Sequence, residues 1–333
     1  MCNIWRIPAK TPDLTLSVWT DFLASPALCK LREIDITGGE PFLREDLPNL
    51  IKWICDARDV HFKELQTVAI TTNGLLTKTI LNCIEEVLPQ FKKRGIDLVF
   101  AFGLDAVGEL HDQIRGVQGA WHKLNDTIDG LLALRNDCSH LVLGIKTTII
   151  PMNVHELKQI VAYAQENRLF TIISPCIVTA NRFGNIDLAD DLKFTQEQMR
   201  SMKEFYQSPA FAWRGHRQVM LDYLETGQIK KPCSAGFNTV FVRHSGEVFS
   251  CPIIPVSLGN IQNDRIDRML KSSVAQRFRK KVCKHKQCQT CTEPGMERLG
   301  WPFEGFNCLR WLTKLGPDEF ESLSTHMGLG KYL

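Results

Sequence analysis

Residues 31–41 read Leu-Arg-Glu-Ile-Asp-Ile-Thr-Gly-Gly-Glu-Pro. The alternation of apolar and polar side chains predicts a β-strand over 31–37, and the glycine pair that follows predicts a tight turn. Because glycine lacks a Cβ, a ligand can approach the backbone of Gly38 and Gly39 closely. The carboxylate of Glu40 stands beside them and could accept hydrogen bonds from an ammonium group. On these residues alone, a plain strand-to-helix turn is the better explanation.

Working outward from this strand, strand-like and helix-like segments alternate up to about residue 180. Such alternation indicates parallel βαβ units, and five strands in this length predict an α/β barrel or part of one. In barrels of this kind the chemistry gathers at the carboxyl ends of the strands. The further predicted strands are 65–72, 96–104, 140–150 and 169–178, and the predicted helices between them are 46–58, 76–94, 121–136 and 153–167.

The pattern changes after this region. Helices are predicted at 195–207, 214–226 and 264–281. From Cys233 the chain becomes short-stranded and cysteine-rich, with a hairpin signal at Ser245-Gly246.

Composition and charge are those expected of an ordinary soluble globular protein. The 333 residues carry a net charge of +3, with 44% hydrophobic and 23% charged residues. The basic residues are spread along the chain, and the densest stretch, 277–286, is interpreted as a solvated face, so no nucleic-acid partner is expected. No run approaches the roughly 20 apolar residues that a transmembrane helix needs, and the start of the chain lacks a signal-peptide pattern. We therefore expect a cytoplasmic protein without a membrane partner.

Twelve cysteines are many for such a protein, and six of them lie between Cys233 and Cys308. In a reducing compartment, clustered cysteines bind metal more often than they form disulfides. The isolated cysteines are better explained as small buried hydrophobic side chains. These are Cys29, Cys55, Cys83, Cys138 and Cys176.

The clustered cysteines have a definite spacing. Cys233 is followed by twelve residues, Gly246, four residues and Cys251, and a Cys-x-x-Cys pair lies at Cys288 and Cys291. A cysteine hairpin facing such a pair can place four thiolates in a tetrahedron. Zinc and a [4Fe–4S] cluster both accept this set of ligands, so spacing alone leaves the metal open.

Two amino-terminal motifs resemble those of the radical S-adenosylmethionine superfamily. Residues 37–41 are similar to its GGEP motif, which in that family contacts the amino group of the cofactor's methionine part. Residues 1–5 read Met-Cys-Asn-Ile-Trp and resemble the end of its CxxxCxxC signature, whose three cysteines bind a [4Fe–4S] cluster. The resemblance makes Cys2 the third ligand. Because the other two would precede Met1, we expect Met1 to be an internal methionine of a longer protein, a point that the upstream DNA can decide.

Other segments extend the resemblance through the barrel. Residues 69–74 are similar to the family's third strand and turn, and residues 102–105 occupy the place of its S-L-D-G, with Gly103 where the serine stands. Residues 111–116 resemble its H-D-x-x-R-G, for which a helix start with a structural arginine is an equal alternative. The resemblance implies the following cofactor-binding residues: Gly38, Gly39, Glu40, Pro41, Asp105, Lys146 and Asn153.

The carboxyl-terminal cysteines are similar to the opening of the SPASM and twitch domains. The resemblance implies one auxiliary [4Fe–4S] cluster, held by Cys233, Cys251, Cys288 and Cys291. A full SPASM domain would have further cysteines at the positions of Glu297 and Trp301. Cys283 and Cys308 are left over, and a buried thiol is the preferred interpretation of each, with substitution as a ligand the alternative.

The resemblance implies a fold, a division of the chain and a function. The fold is a partial (βα)6 TIM-like barrel lacking its first strand, followed by a small cysteine-rich module. The division is a barrel over 1–185, a helical connector over 186–232, the module over 233–292 and a tail over 293–333. The implied enzyme is of the oxidoreductase or maturase type and uses S-adenosylmethionine and a 5′-deoxyadenosyl radical to oxidise or cross-link a peptide or small molecule. A flavodoxin or ferredoxin would reduce it.

Two alternatives stay open from the sequence. One is a truncated or degenerate relative without radical activity, because Cys2 alone cannot hold a catalytic cluster, which the full-length form would carry. The other is a structural zinc-binding protein. Candidate substrate residues near the strand ends are equally well explained as structural; they are Asp105, Arg115, Lys146, Asn181 and Arg182.

Overall fold

The structure is a computed structural model that describes residues 1–6, 13–211 and 213–300, without the side chains of residues 214, 215, 296, 298 and 299. Its main feature is a sheet of five parallel strands in which each strand pairs with the next along the chain. The α/β fold with a partial barrel is therefore confirmed. The strands are β1 (Glu33–Ile36), β2 (Thr67–Thr72), β3 (Asp97–Gly103), β4 (Leu141–Ile149) and β5 (Phe170–Pro175).

Helices connect the strands and cover one face of the sheet, and further helices follow β5. None of the described helices is long and apolar enough to cross a membrane. The helices are α1 (Leu16–Leu23), α2 (Leu47–His61), α3 (Thr77–Arg94), α4 (Glu109–Arg115), α5 (Ala120–Asn136), α6 (Leu157–Glu166), α7 (Gln196–Gln207), α8 (Arg214–Thr226), α9 (Ile266–Lys271), α10 (Ser273–Arg279) and α11 (Pro294–Gly300).

The two faces of the sheet differ in burial because successive side chains point to opposite sides of a strand. The face under the helices forms the main core, where Val68, Leu98 and Leu141 lie in register and are almost fully buried. The opposite face is half-exposed. Near the carboxyl ends of the strands, this open face carries a row of three residues in register: Gly103, Lys146 and Ile172.

The cysteine-rich module contains a three-stranded antiparallel sheet of β6 (Phe241–Val242), β7 (Glu247–Phe249) and β8 (Ser257–Asn260). The turn between β6 and β7 contains Ser245 and Gly246, as the sequence predicted. Gly246 has a φ of +85°, a conformation that glycine adopts without strain. Leu28 packs into the small core of this module, so the segment after α1 connects the module to the barrel.

Several helices differ from the sequence prediction. Helix α1 lies in a segment for which no element was predicted, and helices α4 and α11 also lie where no helix was predicted. The helix predicted over 264–281 is two helices, α9 and α10. They separate at Ser272, whose ψ of 156° is not helical and whose hydroxyl accepts a hydrogen bond from the Ala275 N–H at 3.1 Å. Serine competes for backbone donors in this way, which is why it favours helix starts over helix interiors.

Candidate functional site

The amino-terminal segment that carries Cys2 lies against the loop after β5. The Asn3 N–H donates to the Phe183 carbonyl at 2.7 Å, and the Asn3 side-chain amide donates to the Gly184 carbonyl at 3.0 Å. In return, the Asn185 side-chain amide donates to the Met1 carbonyl at 2.7 Å. These bonds place half-buried Cys2 at the carboxyl-end edge of the sheet, beyond its last strand.

Glu40, predicted to bind a cofactor ammonium, is already held by the end of β2. Its Oε1 accepts from the Thr72 hydroxyl at 2.8 Å and from the Phe42 N–H at 3.2 Å, and its Oε2 accepts from the Asn73 N–H at 2.8 Å. The carboxylate therefore ties the turn after β1 to the turn after β2. Pro41 follows it as the first residue of a short 3-10 helix, Pro41–Leu43, and is buried.

The glycines before Glu40 leave open space. A Cβ added to Gly38 or Gly39 would meet no atom within 4 Å. Gly144, within the sheet, has no such space beside it. A Cβ at Gly144 would lie 2.4 Å from the Phe170 ring. The bare backbone at Gly38 and Gly39 is thus open to the approach of a ligand, which the predicted contact with S-adenosylmethionine requires.

Asp105, at the end of β3, is almost fully buried. Its Oδ2 lies 2.8 Å from Nη2 of Arg115, and the same nitrogen donates to the Gly103 carbonyl. A Cβ at Gly103 would be only 2.4 Å from that nitrogen. The guanidinium of Arg115 therefore fills the space in which the serine of the S-L-D-G pattern would stand, which explains the glycine.

His111 is fully buried, although the alternative interpretation placed it at a surface helix start. Its Nδ1 accepts the Asp105 N–H at 3.2 Å, so a neutral imidazole carries its proton on Nε2. Burial, helped by Arg115, lowers the His111 pKa to about 4, against the opposing effect of Asp105 and Asp112. The H-D-x-x-R-G segment thus braces the end of β3.

Asn153 joins the ends of β3 and β4. Its amide donates to the carbonyls of Asp105 at 2.8 Å and Thr148 at 3.0 Å, and its Oδ1 accepts the Ile150 N–H at 2.8 Å. The side chain is completely buried. Lys146 lies two residues before Thr148 on the open face of β4 and is half-buried.

The four cysteines predicted to bind a cluster line one cavity. Cys233 enters it before the hairpin and Cys251 after the hairpin, and Cys288 and Cys291 come from the following knuckle. The Ile253 N–H donates to the Cys251 sulfur at 3.4 Å. Burial raises the pKa of Cys251 to about 11 and also raises the pKa values of Cys288 and Cys291, so a metal centre that binds these thiols must displace their protons. Four cysteine sulfurs around one cavity are nevertheless the ligand set that a thiolate-bound metal centre needs.

The four thiols could bind either a single zinc ion or an iron–sulfur cluster. Four sulfurs around one zinc stand about 3.8 Å apart, given Zn–S bonds of about 2.3 Å. Within the residues that the structure describes, no three cysteine, histidine, aspartate or glutamate side chains are placed to hold one metal ion. Four thiols that line one cavity are a ligand set that zinc and an iron–sulfur cluster both accept, so the comparisons with known proteins, and not the thiols, distinguish the two.

The expectation for Cys283 was wrong. It was interpreted as a buried thiol, but its side chain is exposed and its sulfur is hydrogen-bonded to that of Cys233. This contact, against the effect of burial, lowers the Cys233 pKa to about 6. Cys283 has a φ of 64°, in the left-handed region that non-glycine residues seldom adopt. Cys29 was also interpreted as buried and is exposed. Cys308 lies outside the described residues.

The cavity is seated on the carboxyl end of β5. The buried Thr292 hydroxyl donates to the Pro175 carbonyl at 2.7 Å, one residue after the Cys288–Cys291 knuckle. Glu293 lines the cavity from the side of the barrel. Burial raises its pKa, but the positive charges of Lys146 and Arg182 outweigh burial and hold that pKa at about 2. The structure thus couples Lys146 on the sheet to the cysteine cavity through an ionised carboxylate.

The remaining substrate candidates contact the module. The Arg182 guanidinium lies 4.6 Å from the centre of the Phe241 ring. Asn181 accepts from Arg243 through its side-chain oxygen at 2.6 Å and its carbonyl at 3.1 Å. Both residues join the barrel to the hairpin of the module.

Comparison with known proteins identifies a family model that matches the cysteine-rich module around the cavity. Residues 233–292 match the SPASM family model, described as an iron–sulfur cluster-binding domain. Over 282 residues the chain is 22% identical to an AdoMet-dependent heme synthase of Methanosarcina barkeri (strain Fusaro / DSM 804), an alignment that covers 77% of this chain and 76% of the synthase. These matches, together with the motifs described above, support the radical S-adenosylmethionine superfamily, in its SPASM/twitch subgroup, as the family of this chain. The cofactors of this group are S-adenosylmethionine and [4Fe–4S] clusters.

Other radical S-adenosylmethionine relatives align over different lengths. The sporulation killing factor maturation protein SkfB of Bacillus subtilis (strain 168) is 22% identical over 88% of this chain. An Fe-coproporphyrin III synthase, also of Methanosarcina barkeri, is 29% identical over 49% of it. The chain spans 65% of SkfB and 36% of the Fe-coproporphyrin III synthase.

Several residues of this site were not found from the sequence: Lys231, Glu293 and the buried pair His216 and Glu297. Their sequence neighbourhoods carry no spacing that marks a site. Glu297 was noticed as the place of an absent cysteine, without a role of its own. Only the fold brings Lys231 and Glu293 to the wall of the cavity and places Glu297 next to Lys231.

Proposed function

We propose that this chain is a radical S-adenosylmethionine oxidoreductase or maturase that oxidises or cross-links a peptide or a small molecule. The observation that carries the proposal is the pairing of two surfaces at one end of the sheet. The open glycine backbone at Gly38 and Gly39 lies at the carboxyl end of β1, and the thiol cavity is seated on β5. A substrate between them would face both.

The chain's own residues would position the cofactors. We propose that Gly38, Gly39 and the following Glu40 and Pro41 shape the S-adenosylmethionine surface, with the Asp105, Lys146 and Asn153 region closing its far side. Cys2 would be one ligand of a catalytic [4Fe–4S] cluster, and Cys233, Cys251, Cys288 and Cys291 would hold an auxiliary cluster. When bound, these cofactors supply a 5′-deoxyadenosyl radical that takes a hydrogen atom from the substrate, and a flavodoxin or ferredoxin would supply the electron.

The division of labour follows the proposed boundaries. Residues 1–185 would form the cofactor-binding barrel, 186–232 the helical connector, 233–292 the cluster module and 293–333 the tail. A peptide substrate is supported by the similarity to SkfB, a maturation protein, and a small-molecule substrate by the similarity to the heme synthase. Lys146 and Arg182 lie where such a substrate would meet the barrel and the module.

Formation of 5′-deoxyadenosine tests the proposal. The complete gene product, with whatever precedes Met1 in its reading frame, is purified without oxygen and incubated with dithionite and S-adenosylmethionine. We expect 5′-deoxyadenosine to accumulate and Cys2→Ala to abolish it, while Cys29→Ala, on an exposed isolated cysteine, leaves it unchanged. Iron-loaded protein that forms no 5′-deoxyadenosine would support a degenerate relative, and zinc in place of iron would support a structural metal protein.

A further inference from the structure

Glu297 occupies the position at which a full SPASM domain would have its next cysteine, with five residues between it and Cys291. Here the carboxylate is completely buried. Its Oε2 lies 2.9 Å from Nδ1 of His216 on α8, which is also completely buried. Because a carboxylate only accepts hydrogen bonds, Nδ1 of His216 must carry the proton. A cysteine position has thus been replaced by a buried hydrogen-bonded pair.

The pair adjoins a third buried charge. Nζ of Lys231 lies 3.9 Å from Oε2 of Glu297, and the Lys231 side chain is only 5% exposed. The same ammonium donates a hydrogen bond to the Glu293 carbonyl. Burying a charge is costly unless it is paired and hydrogen-bonded, and Lys231 meets both conditions.

The position of Lys231 is fixed from two further sides. α11 packs directly on the chain around it, since a Cβ at Gly300 would lie 2.9 Å from the Cys233 nitrogen and the Pro232 carbonyl carbon. The Cys283 sulfur lies 3.6 Å from the Lys231 carbonyl oxygen. Lys231 lines the cysteine cavity, two residues before Cys233. Its ammonium is therefore held at the cavity wall.

A cluster bound by four thiolates is an anion, and reduction adds one more negative charge. A positive charge fixed at the cavity wall stabilises the reduced form more than the oxidised form. We propose that Lys231, positioned by Glu297 and His216, raises the reduction potential of the auxiliary cluster and so favours its role as an electron acceptor. This inference rests on the proposed function, since it requires a cluster at the four cysteines.

Potentiometric titration of the cluster, followed by electron paramagnetic resonance, tests the proposal in anaerobically purified protein. In Lys231→Met we expect the ratio of reduced to oxidised cluster at a fixed potential to fall at least tenfold, which is about 59 mV for a one-electron couple. Lys231→Arg keeps the charge and should restore the wild-type ratio. Lys230→Met, a neighbouring lysine with an exposed side chain, is the matched control and should change nothing.

Glu297→Gln separates electrostatics from packing. The amide keeps an acceptor for His216 but removes the negative charge that partly cancels the ammonium, so the reduced fraction should rise. Shifts of opposite sign in Lys231→Met and Glu297→Gln support the inference, and shifts of the same sign, or none, overturn it. If Lys231→Met binds no iron, the sign of the Glu297→Gln shift decides. Wild-type protein without iron would instead contradict the proposed function itself.

Discussion

The carboxyl-end edge of the sheet and the cysteine cavity of the module use their motif residues differently. At the sheet edge, the polar motif residues bind one another: Glu40 accepts three hydrogen bonds from its own chain, and Asn153 joins two strand ends. In the cavity, four thiols face a shared space, and the Ile253 N–H donates to the Cys251 sulfur. On the proposed function, the barrel motifs therefore build shape and leave ligand contact to the glycine backbone, whereas the module motif would supply ligand atoms.

The largest effect that this comparison predicts is a loss of stability when a polar motif residue at the sheet edge is replaced. Asn153→Ala removes the partner of three buried backbone groups, at about 1 kcal/mol for each lost hydrogen bond, so we expect a loss of about 3 kcal/mol in the free energy of unfolding. Urea unfolding measures it. Asn167→Ala is the control, because its half-buried amide makes one hydrogen bond to the Tyr163 carbonyl. If Asn153→Ala were as stable as Asn167→Ala, Asn153 would not have the structural role that distinguishes the sheet edge from the cavity.

A second effect concerns His111, which braces the end of β3. Its folded-state pKa of about 4 lies below the ordinary value of 6.5, so the unfolded chain binds the proton first as pH falls. Neutral His111 therefore stabilises the fold fully above about pH 6.5, and this stabilisation is lost as the pH falls toward 4. Between pH 7 and pH 5 the free energy of unfolding should fall by about 2 kcal/mol.

Urea unfolding of wild type and His111→Gln across this range measures that loss. The stability difference between the two proteins should shrink as the pH falls. His155→Gln, on an exposed side chain, is the control and should show no such trend. A difference between wild type and His111→Gln that stays constant with pH would show that His111 does not stabilise the fold through its neutral form.

The smallest effect is on ligand binding without a loss of stability. Gly39→Ala places a methyl group in open space, so the free energy of unfolding should change by less than about 1 kcal/mol. If that space receives S-adenosylmethionine, its affinity for the iron-loaded protein should fall at least tenfold in equilibrium dialysis. Gly144→Ala, whose methyl would collide with Phe170, should instead lose about 1 to 3 kcal/mol of stability. Equal cofactor affinity in wild type and Gly39→Ala would contradict a cofactor surface at these glycines.

The sequence predicted the strands and the set of cavity cysteines because both depend on local periodicity or fixed spacing. The five strands came from alternation and from turns such as Gly38-Gly39, and the hairpin came from Ser245-Gly246. Local signals also explain one failure, since the hydroxyl of Ser272 ends a helix inside an apparently continuous pattern.

Long-range contacts could not be predicted in the same way. Arg115 fills the space over Gly103 from twelve residues away, and Glu297 meets His216 across 81 residues. The exposure of Cys283 depends on how the module folds around Cys233. Such contacts leave no periodic trace in the sequence, which is why the buried charges near the cavity and the bracing of β3 emerged only from the fold.

Metal analysis of the anaerobically purified chain tests the central claim most directly. Iron, acid-labile sulfide and zinc are measured together in wild type, Cys251→Ala and Cys29→Ala. We predict that wild type and Cys29→Ala contain equal iron and sulfide and that Cys251→Ala has lost about four irons per chain, those of one [4Fe–4S] cluster. Zinc without sulfide in the wild type, or iron that is unchanged in Cys251→Ala, would contradict an iron–sulfur cluster in the cysteine cavity.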